Sequence, residues 1–204
     1  MTGIICLRKP EGITSFQAVR KTRGITGEKK AGHCGTLDPD ATGVLPVMLG
    51  GATRFLEFLP TTPKQYRAVM KLGVVTDTLD LSGSVLETRD VAAGRDDILQ
   101  VLDGFRGDIQ QVPPMYSALK KDGVRLYDLA RQGVEVEREA RPVTIYELEL
   151  LPDGTDGTDP SAHEYVLDVT CSGGTYIRTL IDDIGAALGC GASIAALLRT
   201  QVGV

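Results

Sequence analysis

The stretch GHCGTLDPDATGVLPVMLG, residues 32–50, carries the strongest signal in this chain. It holds one of the chain's two histidines, His33, and a carboxylate, Asp38, within six residues of each other. Glycine and proline interrupt helices and strands, so the composition predicts an irregular loop from Gly32 to Pro39. An apolar run, Val44 to Leu49, follows this loop. A rigid loop that holds a carboxylate beside an apolar run is a typical place for chemistry.

Length and composition indicate a globular protein. A chain of 204 residues is long enough for one domain with a substantial core. It is 42% hydrophobic and 24% charged, which is ordinary for a soluble protein. Its apolar runs are too short to span a membrane, and its first nine residues place their charges after the apolar part, the wrong order for a signal peptide. We therefore expect a cytoplasmic protein without membrane attachment.

The charge distribution gives a mixed indication about nucleic acid. The net charge is −5, whereas nucleic-acid-binding domains are usually basic. Residues 1–38 nevertheless hold seven lysines and arginines against three acids, and residues 152–168 hold five acids and no base. A local basic face on an acidic body can bind phosphates. The alternative, a solvated face with no ligand, stays open.

The cysteines and histidines do not form a metal-binding pattern. The cysteines are far apart in the sequence, at Cys6, Cys34, Cys171 and Cys190. No Cys-x-x-Cys motif exists, and His33 and His163 are the only further candidates. We expect reduced thiols and no metal site.

Hydrophobic periodicity predicts an α+β fold. Strands are predicted over residues 3–8 (buried), 64–72, 141–151 and 164–171. Helices are predicted from a capping box at Thr14 to about Arg23, over 51–59 with Phe55, Leu56 and Leu59 on one side, over 95–104, near 124–131, and over 176–188. Strands and helices do not alternate strictly, which disfavours a doubly wound sheet. We predict a mixed, mostly antiparallel central sheet flanked by helices and loops.

The pattern Gly-His-x-Gly-Thr-Leu-Asp-Pro-x-Ala-Thr-Gly-Val-Leu-Pro over residues 32–46 resembles the signature of the TruB family, the bacterial tRNA pseudouridine-55 synthases. The resemblance implies the pseudouridine synthase fold, and it implies that Asp38, the aspartate of Leu-Asp-Pro, is the nucleophile. Taken alone, Leu-Asp-Pro-Asp is a turn in which Pro39 restricts Asp38 to extended geometry.

Two further motifs are similar to those of the family. Lys64-Gln65-Tyr66 is similar to a Lys-x-Tyr motif whose tyrosine stacks on the target uracil. Residues 171–185 resemble the motif that supplies an arginine, here Arg178, beside the catalytic aspartate. That arginine is expected to keep Asp38 ionised by lowering its pKa. From the residues alone, a core aromatic is the favoured interpretation of Tyr66, and the alternative for Arg178 is an exposed partner of Asp182.

The resemblance covers nearly the whole chain and implies RNA binding. An insertion at about 113–142 is expected to grip the T-loop of tRNA, and its weak hydrophobic content fits a segment that orders only on RNA. The expected substrate and RNA contacts are His33, Tyr176, Leu197, Lys9, Lys120, Arg125 and Arg141. For His33, a loop histidine with ordinary hydrogen bonds is the alternative.

The implied reaction isomerises uridine 55 of tRNA by cutting the bond from uracil N1 to C1′ and rejoining the base through C5. No electrons are transferred, so we expect no cofactor. The base must leave its stack, which implies base flipping. One loop-binding site suffices, so we expect a monomer with tRNA as its partner and without an obligate protein partner.

The chain departs from the family at two places. Leu197-Leu198-Arg199 stands where the family usually has Leu-Arg-Arg, so one phosphate contact is expected to be lost, with weaker binding but intact chemistry. The family also continues into a C-terminal RNA-binding extension that residues 1–204 lack, and we interpret these residues as the catalytic domain alone.

The other functions considered are a non-catalytic RNA-binding module, a guide-RNA-dependent relative, and a metal hydrolase that uses Asp38 and His33.

Overall fold

The computed structural model describes residues 1–121 and 123–203. The strands are β1 Gly3–Lys9, β2 Ala31–His33, β3 Thr42–Leu49, β4 Lys64–Leu72, β5 Val74–Thr76, β6 Val85–Thr88, β7 Gly107–Gln111, β8 Lys120–Lys121, β9 Val124–Arg125, β10 Arg141–Leu150, β11 Glu164–Cys171 and β12 Ala192–Val202. The α-helices are α1 Ser15–Thr26, α2 Arg95–Leu102, α3 Leu126–Ala130 and α4 Ile177–Ala187. Short 3₁₀ segments cover Gly50–Phe58, Asp103–Phe105, Thr155–Gly157 and Pro160–Ala162.

The central sheet has eight strands in the order β1-β3-β12-β4-β11-β10-β7, with β2 paired to β3. Neighbouring strands run antiparallel except for the short parallel pairing of β12 with β3. The predicted mixed, mostly antiparallel sheet is therefore confirmed. The strand β12 lies in the middle of this sheet, although it is the last strand among the described residues.

Two clusters of apolar side chains hold the helices on the sheet. The larger joins α2 and α4 to strands β4, β10, β11 and β12. From α4 it takes the predicted stripe, whose members Leu180, Ile181 and Ile184 are fully buried. In the smaller cluster, Ala18 and Val19 of α1 pack on side chains of β3. Burial of these apolar surfaces is the main force that stabilises the fold.

Most of the predicted elements are confirmed. The loop predicted from Gly32 begins only after His33, because Gly32 and His33 pair with Met48 and Val47 in β2, and α1 is longer than predicted. The capping box at Thr14 forms as expected, since the Thr14 hydroxyl accepts from the Gln17 amide and the Gln17 side chain accepts from the Thr14 amide. The helix then continues to Thr26, beyond the predicted end near Arg23, and Gly27 ends it in the left-handed conformation.

Two predictions need correction. Residues 51–59, predicted as a short helix, form a 3₁₀ helix over Gly50–Phe58, and Phe55 in it is 59% exposed. The first strand is not buried as predicted, since β1 has a single partner strand and its side chains alternate between half-buried and exposed up to Lys9. In the part of the chain that the structure describes, no helix combines the length and apolarity that a bilayer crossing needs.

Gly43 makes the join between β3 and β12 possible. It pairs with Arg199 at a φ of 106°, and a β-carbon at Gly43 would overlap the Arg199 carbonyl and lie 2.8 Å from the Arg199 nitrogen. We expect Gly43→Ala to lower the free energy of unfolding by about 3 kcal/mol, because both backbones must move. Urea unfolding measures the change. The control is Gly3→Ala in β1, where an added β-carbon meets nothing within 4 Å, and it should change stability by less than about 0.5 kcal/mol.

Candidate active site

Asp38 lies on the irregular segment between β2 and β3, which three buried polar side chains hold in place. The first is Ser15 of α1, whose hydroxyl donates to the Leu37 carbonyl and accepts from the Leu37 amide at 3.1 and 2.9 Å. The carboxylate of Asp38 is therefore attached to a backbone that is fixed immediately before it.

Lys9 is the second residue that holds this segment. Its side chain is fully buried, and its ammonium donates to the carbonyls of Pro10, Ile13 and Pro39 at 2.9, 2.7 and 2.8 Å. The sequence-based assignment of Lys9 as an RNA contact is therefore wrong for this structure, because carbonyl groups occupy its ammonium and no surface of it is exposed. Lys9 instead ties the N-terminal strand to the residue directly after Asp38.

Arg199 of β12 is the third side chain that holds this segment, and sequence reasoning did not identify it as part of the site. It is fully buried, and its guanidinium donates to the carbonyls of Val44, Gly35 and Thr36 at 2.9, 3.1 and 3.3 Å. The sequence pattern of β12 contains no sign of these contacts, since the acceptors are backbone atoms more than 150 residues earlier. Arg199 fixes both ends of the segment that carries Asp38.

The structure brings Asp38 and Arg178 together. Nη2 of Arg178 lies 3.0 Å from Oδ2 of Asp38. The guanidinium also donates to the carbonyls of Thr78 and Tyr116 at 2.9 and 2.8 Å, and its Nε lies 4.0 Å from Oδ2 of Asp80. Its side chain is buried, so the alternative of an exposed surface pair is wrong. These bonds fix the guanidinium at the beginning of α4 and aim it at Asp38.

Two opposing effects set the pKa of Asp38. Burial raises the pKa of this carboxyl above its ordinary value and is the larger effect, while Arg178 lowers it and Asp80 adds a further upward contribution. Arg178 therefore acts in the expected direction but does not bring the pKa below normal. Because 42% of the Asp38 side chain still faces solvent, screening weakens both effects.

Two adjoining cavities of about 240 and 260 Å³ form a cleft around this pair, and Asp38, Arg178 and Leu197 line both. Tyr66 and Tyr176 line only the smaller one. The cleft thus unites five of the predicted site residues from four separate parts of the chain.

Tyr66 is buried apart from the surface it presents in the cleft. Burial raises the pKa of its hydroxyl, so the hydroxyl stays protonated at neutral pH.

His33 lies on β2, outside the lining of both cavities. Its Nδ1 is buried and has no hydrogen-bond partner among the described residues. Burial, together with the positive charge of Arg199, lowers the pKa of His33, so the ring is neutral at neutral pH.

Three predicted RNA contacts lie outside the cleft, on or beside the insertion. Lys120 and Arg125 are exposed partners in the hairpin β8–β9, and the Arg125 guanidinium lies 5.7 Å from the ring centre of Tyr127. Arg141 is the exposed first residue of β10. Asp122 lies outside the described residues. The insertion contains the hairpin and α3, and it supplies the Tyr116 carbonyl that binds Arg178.

Comparison with known proteins gives a consistent result. Residues 23–177 match the model of the TruB family pseudouridylate synthase N-terminal domain, and residues 178–204 match that of the tRNA pseudouridylate synthase B C-terminal domain. The tRNA pseudouridine synthase B of Pseudomonas aeruginosa (strain UCBPP-PA14) is 55% identical over 203 residues, covering 100% of this chain and 64% of that protein. The enzyme of the same name from Pseudomonas putida (strain GB-1) is 56% identical with the same coverage. The chain thus spans 64% of the length of these curated relatives.

Solved structures contain chains that are similar to this one in sequence and in fold. A Cbf5-Nop10-Gar1 complex contains a chain that is 36% identical, with a TM-score of 0.73 over 98% of this chain and 48% of that one. An H/ACA RNP bound to a substrate RNA containing 2′-deoxyuridine contains a chain that is 32% identical, with a TM-score of 0.69 over 98% and 47%. With a family model matched over most of its length and relatives more than half identical, the chain belongs to the TruB family of pseudouridylate synthases.

Proposed function

We propose that this chain isomerises uridine 55 in the T-loop of tRNA to pseudouridine, with residues 1–204 as its catalytic domain. The observation that supports this most directly is the Asp38–Arg178 pair at 3.0 Å inside a cleft that Tyr66 and Tyr176 line. The names of the relatives, tRNA pseudouridine synthase B, favour tRNA over an RNA bound in an H/ACA RNP, the assembly named for one of the solved structures.

Asp38 is the nucleophile in this proposal. Its ionised carboxylate assists cleavage of the bond between uracil N1 and C1′, either by attack on C1′ or by promoting glycal formation. Arg178 keeps the carboxylate charged and fixes its direction. The detached uracil turns and rejoins through C5, and the hydrogen that C5 carried leaves as a proton. Substrate and product are isomers, so the reaction balances without an electron donor or acceptor.

Tyr66 supports the uracil while it is detached, because an aromatic ring holds a base by stacking without fixing its rotation. Tyr176 and Leu197 close the cleft around the same space. A cleft of this size accepts one base and not a stacked helix, so the target nucleotide must flip out of the loop. His33, which is half-buried on β2, is then a contact to the opened RNA loop through the exposed part of its ring.

The insertion at 113–142 grips the RNA in this proposal. Its exposed cations, Lys120 and Arg125 in the hairpin and Arg141 at its end, provide a local positive surface on an acidic protein. Phosphate contacts of this kind position an RNA without reading its sequence. One such site suffices for one T-loop, so we propose that the chain acts as a monomer on cytoplasmic tRNA, without an obligate protein partner.

Tritium release tests the proposal. A T-arm stem-loop that carries 5-³H-uridine at the target position should lose its label to water, because C5 loses its hydrogen when the base rejoins there. A stem-loop labelled at a different uridine of the stem is the matched control and should retain its tritium. Intact binding of the stem-loop without release would contradict the proposal and favour a non-catalytic RNA-binding module.

A further inference from the structure

We propose that Lys64 binds the backbone phosphate of the flipped target nucleotide. This inference rests on the proposed function, since it assigns a second substrate contact within the same cleft. It would make Lys64 a positioning residue that holds the nucleotide's backbone while Tyr66 supports the base.

The position of Lys64 in β4 places it beside the base-binding ring. It is two residues before Tyr66, and side chains two apart on a strand point to the same face of the sheet. Both residues line the cavity that contains Asp38 and Tyr176. A nucleotide whose base lies against Tyr66 therefore has its sugar and phosphate within reach of a neighbouring side chain.

The ammonium of Lys64 lies beside the backbone of Gly35. A β-carbon at Gly35 would lie 3.6 Å from Nζ of Lys64, an ordinary contact, and 3.3 Å from Nη1 of Arg199, a tighter one. The two cations therefore approach the same short stretch of backbone, shortly before Asp38.

Lys64 differs from Arg199 in what satisfies its charge. The Arg199 guanidinium donates to three backbone carbonyls. Among the residues that the structure describes, Lys64 takes part in no salt bridge, and its ammonium donates no hydrogen bond. The other titratable groups near it are the thiols of Cys34 and Cys171, whose pKa values burial raises, so they carry no negative charge at neutral pH.

A half-buried cation beside another cation is unfavourable unless an anion joins it. Burial and the neighbouring Arg199 lower the pKa of Lys64, and both effects oppose its charge. An incoming phosphate would reverse the balance, since an opposite charge favours the ammonium form. A phosphate fits better than a uracil carbonyl, because only the phosphate brings a full negative charge and lysine binds phosphates as a compact point charge.

Salt-dependent RNA binding tests the proposal in a form that cannot turn over. In an Asp38→Asn background, Kd for the T-arm stem-loop is measured across salt concentrations. We expect Lys64→Gln to weaken binding about tenfold at low salt and to reduce the slope of log K against log salt by about 0.7, the value for one phosphate contact on single-stranded nucleic acid. Lys64→Arg should keep the slope. The control Lys29→Gln, an exposed lysine that lines neither cavity, should match the parent.

A change on the RNA side gives a second test that does not depend on the folding of a variant. A stem-loop with a neutral methylphosphonate at the target nucleotide should bind the protein with Lys64 about tenfold more weakly, and it should cost the Lys64→Gln variant nothing further. An unchanged salt slope in Lys64→Gln, or an equal cost of the methylphosphonate with and without Lys64, would overturn the phosphate contact. If the parent releases no tritium but shows these effects, the proposed catalysis fails and the phosphate contact stands.

Discussion

The Asp38→Asn variant is expected to lose all measurable tritium release, at least about 10⁴-fold below the parent, while folding and binding the stem-loop as the parent does. The amide keeps the size of the side chain and can still accept a hydrogen bond from Arg178, so the cleft keeps its shape. It cannot act as an anionic nucleophile. Single-turnover release, with circular dichroism as the check on folding, measures the effect.

Asp40→Asn is the matched control for this variant. Asp40 lies in the same segment, is exposed, and forms no salt bridge among the described residues. Asp40 lines the larger of the two cavities, and its negative charge raises the pKa of Asp38. Its removal therefore favours the ionised Asp38 carboxylate, and we expect the rate to change by less than tenfold in either direction. Comparable losses in the two variants would mean that general charge in this segment, and not the Asp38 carboxylate, drives the reaction.

The second large effect is expected for Arg178→Gln, with a loss of about 10³-fold in kcat/KM and a shift of the acid limb of the pH profile to higher pH. Burial already raises the pKa of Asp38, and Arg178 is the group that opposes this rise. Without the guanidinium the pKa rises further, so the carboxylate protonates at a higher pH as the solution is acidified. The dependence of kcat/KM on pH between pH 4 and pH 8 measures the shift.

Arg178→Lys separates the charge from the hydrogen bonds. An ammonium keeps the positive charge beside Asp38 but cannot reach Asp38 and the carbonyls of Thr78 and Tyr116 with one planar group. We expect the acid limb of Arg178→Lys to stay near that of the parent. The thermal stability of both Arg178→Lys and Arg178→Gln should fall below that of the parent, because buried carbonyls lose their hydrogen-bond donors. An acid limb that does not move in Arg178→Gln would contradict the role assigned to the guanidinium.

The elements that periodicity predicted best are those whose side chains meet one large apolar cluster. β4 alternates buried and half-buried residues, and α4 carries a stripe at helical spacing, so both patterns are visible in the sequence. β12 was not predicted. Its run of small and apolar residues does not alternate, and two irregularities in its pairing with β4 shift the register, so no period of two survives.

The residues of the site also divide into those that the sequence identified and those that it did not. Asp38, Tyr66 and Arg178 were found because motifs mark them, although no periodic pattern could place residues 38 and 178 within 3.0 Å. Lys9 was assigned to RNA binding and Arg199 was not assigned to the site, and both errors have the same physical reason. A basic side chain in a sequence indicates solvent or an anion, whereas each of these is buried by backbone carbonyls that converge on it only in the folded chain.

The position of β12 has a consequence for how the cleft assembles during synthesis. Within the sheet, β12 alone connects the strands that lead to Asp38 with the strand that carries Tyr66, and Leu197 of β12 lines both halves of the cleft. A ribosome produces both of these groups of strands before it produces residues 192–202. A nascent chain that ends before β12 therefore contains Asp38 and Tyr66 but no strand that joins them into one cleft.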